Sequence, residues 1–337
     1  MKKELFGRLP SGEEVFTYEI ENECASLKVM NFGATVVSFK PYGVDIVAGF
    51  DDFKHYFDDR SCHGAIVGRV ANRILDAELK IDGAIHMLSA NQLGNCLHGG
   101  FEGFARKYWE LAEYDEKSLT FCYYSPDGDE GFPSGVSVKV KYLLEGATMI
   151  IKYEAIPDGK TAIALTNHAF FNLNGFGESV LDTKARIYAD TYSEVNDRGV
   201  PFGVRPSVKD TVYDFSYPKP FGKDMTPGFR GHDRNYNLKP ESYKEFLGER
   251  VGLCAEVWGK ELKMSYYTDQ EGCQLYLANH IGRAAGSPPF SGGRPQVPNG
   301  AFCLESQTEP NAVHRGDAIY EAGQLYTQIT VYEIRRI

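Results

Sequence analysis

Two short stretches of this 337-residue chain carry residues suited to moving protons: TNHAFFNL at 166–173 and FCLESQTE at 302–309. An imidazole titrates near neutral pH, and a carboxylate becomes a usable base there once burial raises its pKa. His168 and Glu305 are therefore the candidate acid and base. Each has a plainer alternative: His168 as a core histidine, Glu305 as a carboxylate on a solvated face. Ile163, Leu165, Phe171 and Leu173 share one parity, and His168 shares the other with Thr166, Phe170 and Asn172. That alternation predicts a strand with one apolar face buried and His168 on the opposite face. Likewise Phe302 and Leu304 alternate with Cys303, Glu305 and Gln307. Glu309, beside Pro310, reads as a turn residue suited to solvent.

Three further stretches offer polar groups. Asn72 and Arg73 in GRVANRI (68–74) present donors suited to polyol hydroxyls, or else an ordinary surface arginine. His98 in LHGGFEGF precedes two glycines, which admit close backbone approach or simply make a turn. Asp233 in GHDRNYNL is a hydroxyl ligand or a local cap. Histidines 55, 63, 86, 98, 168, 232, 280 and 314 show no clustered ligand spacing, so no metal is expected, with a dispersed cupin-type site as the alternative. Walker A, GxGxxG after a strand, GxSxG and HExxH are all missing.

The elements that must position these groups are strands. VSVKVKY at 136–142 alternates strictly, and TMIIKYEA at 148–155 follows the turn signal Glu145-Gly146, which predicts a β-hairpin. Similar runs stand at 25–30, 34–39, 119–124 and 325–334. Helical patterns are confined to 51–57 and 240–248, the second with Pro240 near its start. Gly and Pro fall in loops, including a long one at 286–300 that is expected to border a ligand site or to be a solvated excursion. No linker divides the chain, so residues 1–337 are read as one all-β domain, a sandwich or barrel.

The net charge of −10, without any basic tract, argues against nucleic acid or an anionic membrane surface as partner. Seven scattered cysteines, never spaced CxxC, indicate neither a disulfide framework nor a zinc site. MKKELFGRLPSGEE lacks an apolar core behind its lysines, and no run of about 18 apolar residues occurs. A cytoplasmic enzyme is the expectation.

Taken in order, GRVANRI, LHGG…GF…W ending at Trp109, SPDGDEGFP, TNHAFFNLNG, GHDRNYNL and LESQ…P resemble the aldose 1-epimerase (galactose mutarotase) family. The resemblance implies a large antiparallel β-sandwich, the mutarotase supersandwich with few short helices, whose concave face binds a free sugar. It implies interconversion of α and β anomers without a cofactor, by a monomer or homodimer. By motif, His168 matches the general acid, Glu305 the general base and His98 a second histidine near the ring oxygen, with acid and base on opposite sides of the anomeric centre. Asp233, Arg73 and Asn72 match positions that bond sugar hydroxyls. Gln274 matches a variable sugar-contacting position, and Phe170 an apolar surface against a sugar face. The amides flanking His168 are expected to help hold the sugar. Arg234, beside Asp233, departs from the family's usual pattern. Hexose-6-phosphate 1-epimerase and a non-catalytic carbohydrate-binding sandwich are the alternatives.

Overall fold

The hairpin read at 136–155 forms the middle of a ten-stranded antiparallel sheet. Val136, Val138, Val140 and Tyr142 of strand Val136–Glu145 point into the core with Met149, Ile151, Tyr153 and Ala155 of Thr148–Pro157. Burying side chains of this size contributes roughly 1.5–3 kcal/mol each. Ser137, on the other face, is exposed. The two strands are joined by Gly146 and Ala147, with Gly146 at φ 56°, a left-handed value that glycine adopts without a Cβ clash. The C-terminal strand Tyr326–Arg336 pairs with Thr148–Pro157 and with Leu262–Thr268, which closes the middle of the sheet around the chain's end. The computed structural model describes residues 1–229, 231–284 and 286–337.

A four-stranded N-terminal sheet, Lys2–Arg8, Glu14–Glu21, Ala25–Met30 and Thr35–Pro41, covers one part of the large sheet. A second four-stranded sheet carries three of the candidate residues, Asp233, Gln274 and Glu305. Its strands, in chain order and in spatial order, are β1 (Ala189–Tyr192), β2 (Asp233–Leu238), β3 (Gly272–Tyr276) and β4 (Cys303–Gln307). One apolar cluster runs through all three sheets, from Tyr18 and Val36 through Tyr142 and Tyr332 to Leu275 and Leu304. The architecture is the all-β sandwich expected, with helix limited to Phe53–Asp58 and a few 3-10 turns among the described residues. That helix lies where 51–57 predicts it. The Asp52 carboxylate caps its start by accepting from Lys54 N at 2.8 Å.

Several expectations are overturned. Residues 240–248 hold no helix: Tyr243–Phe246 is a strand paired with Glu249–Trp258. Leu247 and Gly248, both at positive φ, make the two-residue hairpin loop, and Phe246 packs its ring on Tyr267. The long strand expected over 163–173 is regular only at Thr166–Asn167, because the segment changes partner as it crosses the core. It pairs with Ile66–Val67, then bridges Val47 and Phe302 through Phe171. Both of its parities are buried, not one. Loop 286–300 is no solvated excursion: Ser291 N donates to Gly49 O and Gly292 N to Asp51, docking it on the segment after the N-terminal sheet, while Asn299 donates to Leu277 O just beyond Gly272–Tyr276.

Candidate active site

The register of the small sheet decides which side chains meet. Asn235, Gln274 and Glu305 stand opposite one another on β2, β3 and β4, and Asp233, Tyr276 and Cys303 form the row two residues along. Both rows share one face of the pleat. The alternate residues Tyr236, Cys273, Leu275 and Leu304 enter the apolar core. The carboxylate seen inside an apolar strand is thus on its buried, polar side, since Glu305 is only 2% exposed. The solvated-face alternative fails.

His168 arrives from above this face. Its backbone is fixed by Ala65 O, which accepts from His168 N, and by Gly64 N, which donates to His168 O, each at 2.9 Å. The flanking amides are spent on the scaffold. Asn167 donates to Gly64 O at 2.7 Å and Asn172 to Gly300 O at 2.9 Å, so neither is a sugar ligand as expected. Phe170 is fully buried and stacks on His63 at 4.3 Å and against His168 at 4.9 Å. It backs the histidine and offers a sugar little open face.

His168 Nε2 lies 3.6 Å from Glu305 Oε2, and that oxygen, though buried, has no hydrogen-bond partner among the described residues. The candidate acid and base therefore lie side by side, too close to flank a sugar carbon from opposite sides as expected. The spacing still suits a hemiacetal, whose hydroxyl and ring oxygens hang on one carbon. Burial pushes the Glu305 carboxyl well above its usual range, with the Asp233 charge adding to it and Arg73 opposing. Burial, with His63 adding, lowers His168 to about 4. Both directions favour a neutral pair that holds a single proton, on the carboxyl when the cleft is dehydrated.

His98 stands with its ring 5.2 Å from His168 and nearly perpendicular to it. Asn72 N donates to His98 Nδ1 at 3.2 Å, while His98 N donates to Asn72 O at 2.9 Å. Burial, with His168 and Arg73 adding, holds His98 well below 6.5. A neutral ring whose Nδ1 accepts must carry its proton on Nε2, so the ring offers a donor to the cleft. Gly99 is required here, since a Cβ would lie 1.9 Å from Gly68 O. The close approach is to the protein's own backbone, not to a ligand.

Arg73 is held by Gln92, whose Oε1 accepts from Nε at 2.6 Å, and by Asn72 Oδ1, 3.3 Å from a terminal guanidinium nitrogen. Asp233 Oδ1 accepts from Gln274 Nε2 at 2.5 Å. Gln274 is therefore a support behind Asp233 and does not line the cleft. Arg234 folds its guanidinium back to the Asp233 carbonyl and likewise lies off the cleft wall. His98, His168, Glu305, Asn72, Arg73, Asp233 and Phe170 all meet at one cleft of about 190 Å³. Sequence reasoning missed Gln92 and Tyr276. Tyr276 shared the parity of Gln274 and could have been found by it; Gln92 sits in an irregular loop with no pattern to mark it. A larger groove of about 420 Å³ lies elsewhere, around Tyr124, Ile156 and Leu325, but it gathers no comparable acid–base set.

Two buried charged groups that do not line the cleft have structural roles. Arg69 of GRVANRI is 2% exposed, and its guanidinium donates to Ser125, Pro126, Pro133 and Ser134, which ties down the SPDGDEGFP loop. Glu309 is buried, not solvated as expected. Arg205 and Arg315 donate to it at 2.6 and 2.7 Å, and Ser193 at 2.5 Å, so its carboxyl is held below its usual range despite burial.

Asp233→Ala, which removes a hydroxyl acceptor, is expected to raise KM roughly tenfold, with kcat falling less. Gln274→Ala frees the same carboxylate from its support and should raise KM by a smaller factor. Polarimetric kinetics check both. An unchanged KM in Asp233→Ala would remove it from the binding set.

His232, on the core side of the same strand start, is surrounded by Tyr213, Phe215 and Phe229, and neither ring nitrogen has a hydrogen-bond partner among the described residues. Burial lowers it to about 4. The unfolded chain binds the proton near 6.5 and the folded one does not, so stability is lost as pH falls from about 6.5 to about 4, by about 3 kcal/mol from this group. His232→Phe should flatten that loss in urea unfolding at pH 7 and pH 4.5. An equally steep loss in the variant would refute the assignment.

His98, His168 and Glu305 each bring a ligand atom within 4.8 Å of the others, a grouping that linear spacing does not reveal. As a divalent-ion site it is poor. The cleft-facing nitrogen of His98 holds the proton because Nδ1 faces the Asn72 N–H, and a protonated nitrogen has no lone pair to give.

The aldose 1-epimerase family model matches residues 17–333. The galactose mutarotase of Pongo abelii is 33% identical over 319 residues, 92% of this chain and 91% of its own length. The aldose 1-epimerase of Escherichia coli is 29% identical over 343 residues, 96% of each chain. Among solved structures, an aldose epimerase homologue from C. elegans superposes with a TM-score of 0.84 at 26% identity, covering 95% of this chain and 99% of its own. The galactose 1-epimerase of Lactobacillus acidophilus gives 0.86 at 21% identity, covering 99% and 98%. Among the described residues, no helix is long and apolar enough to cross a membrane.

Proposed function

The chain belongs to the aldose 1-epimerase family, and from that premise we propose that Glu305 and His168 are the base and acid with which it interconverts the α and β anomers of free hexoses such as galactose or glucose. The observation that carries this assignment is the unpartnered Glu305 Oε2, 3.6 Å from His168 Nε2, at the floor of a polar cleft. The single proton of the pair serves the reaction in its other tautomer, with carboxylate and imidazolium. Glu305 takes the proton of the C1 hydroxyl, His168 gives its proton to the ring oxygen, and the C1–ring oxygen bond breaks to leave an open-chain aldehyde. Rotation about C1–C2 presents the other carbonyl face. The hydroxyl then attacks, its proton returns to His168, and the new C1 oxygen takes the proton from Glu305. The pair ends as it began.

His98 donates Nε2–H toward the ring oxygen, and Arg73 and Asp233 hold hydroxyls while C1 turns. The whole chain 1–337 acts as one domain, in the cytoplasm, as a monomer or homodimer, with neither nucleic acid nor membrane as partner and without a cofactor. Polarimetry of freshly dissolved α-D-glucose and α-D-galactose, with and without protein, tests the reading. Accelerated decay of rotation is expected, and the rate should be unchanged by EDTA. Activity lost to EDTA and restored by a divalent ion would overturn the metal-free mechanism.

A further inference from the structure

We propose that Cys303 is a positioning residue for the acid–base pair, its thiol holding Nδ1 of His168 and setting how readily that imidazole gives up its proton. The inference rests on the acid role given to His168 above. Cys303 and Glu305 are two residues apart on β4 and point to the same face, so a single strand reaches both nitrogens of one ring. Cys303 Sγ lies 3.7 Å from Nδ1, and Glu305 Oε2 lies 3.6 Å from Nε2. Cys303 is fully buried and stands opposite Tyr276, whose ring meets His168 edge-on at 6.4 Å. Burial keeps the thiol pKa well above 9, so the sulfur retains its hydrogen at neutral pH.

A thiol donates and accepts, weakly in both directions. Beside the neutral ring the sulfur accepts from Nδ1–H, which leaves Nε2 unprotonated and able to take the proton that Glu305 carries. Beside the imidazolium, the sulfur again accepts from Nδ1–H. A carboxylate or carbonyl in this place would only accept, would stabilise the imidazolium and would weaken it as an acid. Sulfur does so least, and a sugar ring oxygen is a feeble base that needs a strong acid. The other titratable or charged groups around the ring are His98 and Arg73 on one side, Asp233 and Tyr276 on the neighbouring strands, Arg60 and His280 along the cleft, and the Asp59–His63 pair behind Phe170. Substitution at 303 leaves all of them in place.

The test is a titration of His168 by NMR of ¹⁵N-histidine-labelled, sugar-free protein, alongside polarimetric kinetics. In Cys303→Ser the oxygen accepts more strongly from Nδ1–H, so the midpoint should rise by roughly half to one pH unit. The Nδ1–H tautomer should be retained, with kcat several-fold lower. In Cys303→Ala the bias toward that tautomer should be lost, and kcat should fall about 3- to 30-fold with KM within about twofold. Serine is nearly isosteric, so it keeps the test open if the alanine variant does not fold. Identical midpoints and tautomers in wild type and both variants would show that Cys303 only fills space. Because the titration is read without sugar, it is separable from the catalytic reading: full activity in His168→Asn would sink the acid role and leave the titration result standing.

Discussion

Glu305→Gln lowers kcat for anomer interconversion by roughly 10²–10⁴-fold, the usual range for loss of a general base. Glutamine keeps the size of the side chain and an acceptor oxygen beside Gln274 but cannot take the C1 hydroxyl proton. The change is not expected to weaken the fold. Burial already disfavours the carboxylate, so an uncharged amide in its place is neutral or stabilising toward urea. That combination, inactive yet at least as stable, separates a catalytic glutamate from a structural one. The wild-type pH–rate profile should be bell-shaped, since one added proton blocks the base and one removed proton leaves no acid, whereas any residual activity of Glu305→Gln should lose the limb that belongs to the carboxylate. A variant with full mutarotation would end the assignment of the base.

His168→Asn is expected to fall in the same range, and the Glu305→Gln/His168→Asn double variant should lose less than the product of the single losses. Each proton transfer presupposes the other, so removing one partner already disables most of what the second can do. The neighbouring packing survives, because Phe170 remains stacked on His63. KM should move little in either single variant, since Arg73 and Asp233 still hold the hydroxyls. Strict multiplication of the two losses would mean that the residues act in separate steps. Glu309→Gln is no silent control for this series. It breaks a buried carboxylate contacted by Arg205, Arg315 and Ser193, and its measurable effect belongs to unfolding, not to kcat.

Much of this protein is local, and what is local could be read directly. The alternation of Val136 to Tyr142 follows from side chains pointing to opposite faces of a strand, and the hairpin it forms with Thr148–Pro157 stands in the sheet as expected. The helical pattern at 51–57 marks the one short α-helix among the described residues. Parity placed Cys303, Glu305 and Gln307 on one face of β4, and the ordered motifs pointed to the family and to the residues that meet at the cleft. Residues 240–248 misled because a helix-like pattern there is overruled by two positive-φ residues and by pairing with Glu249–Trp258.

What the tertiary structure alone decided is distance, burial and protonation. Cys303 is 135 residues from His168 in sequence and within bonding reach in space, and Glu309 finds Arg205 104 residues away. The asparagines beside His168 looked like sugar ligands and are scaffold; Gln92 had no pattern and holds Arg73. Sequence identifies His168 and Glu305 as an imidazole and a carboxylate with ordinary affinities for protons. Only the sheets that close over them remove the water, shift both toward their neutral forms, and leave one proton for two groups to exchange.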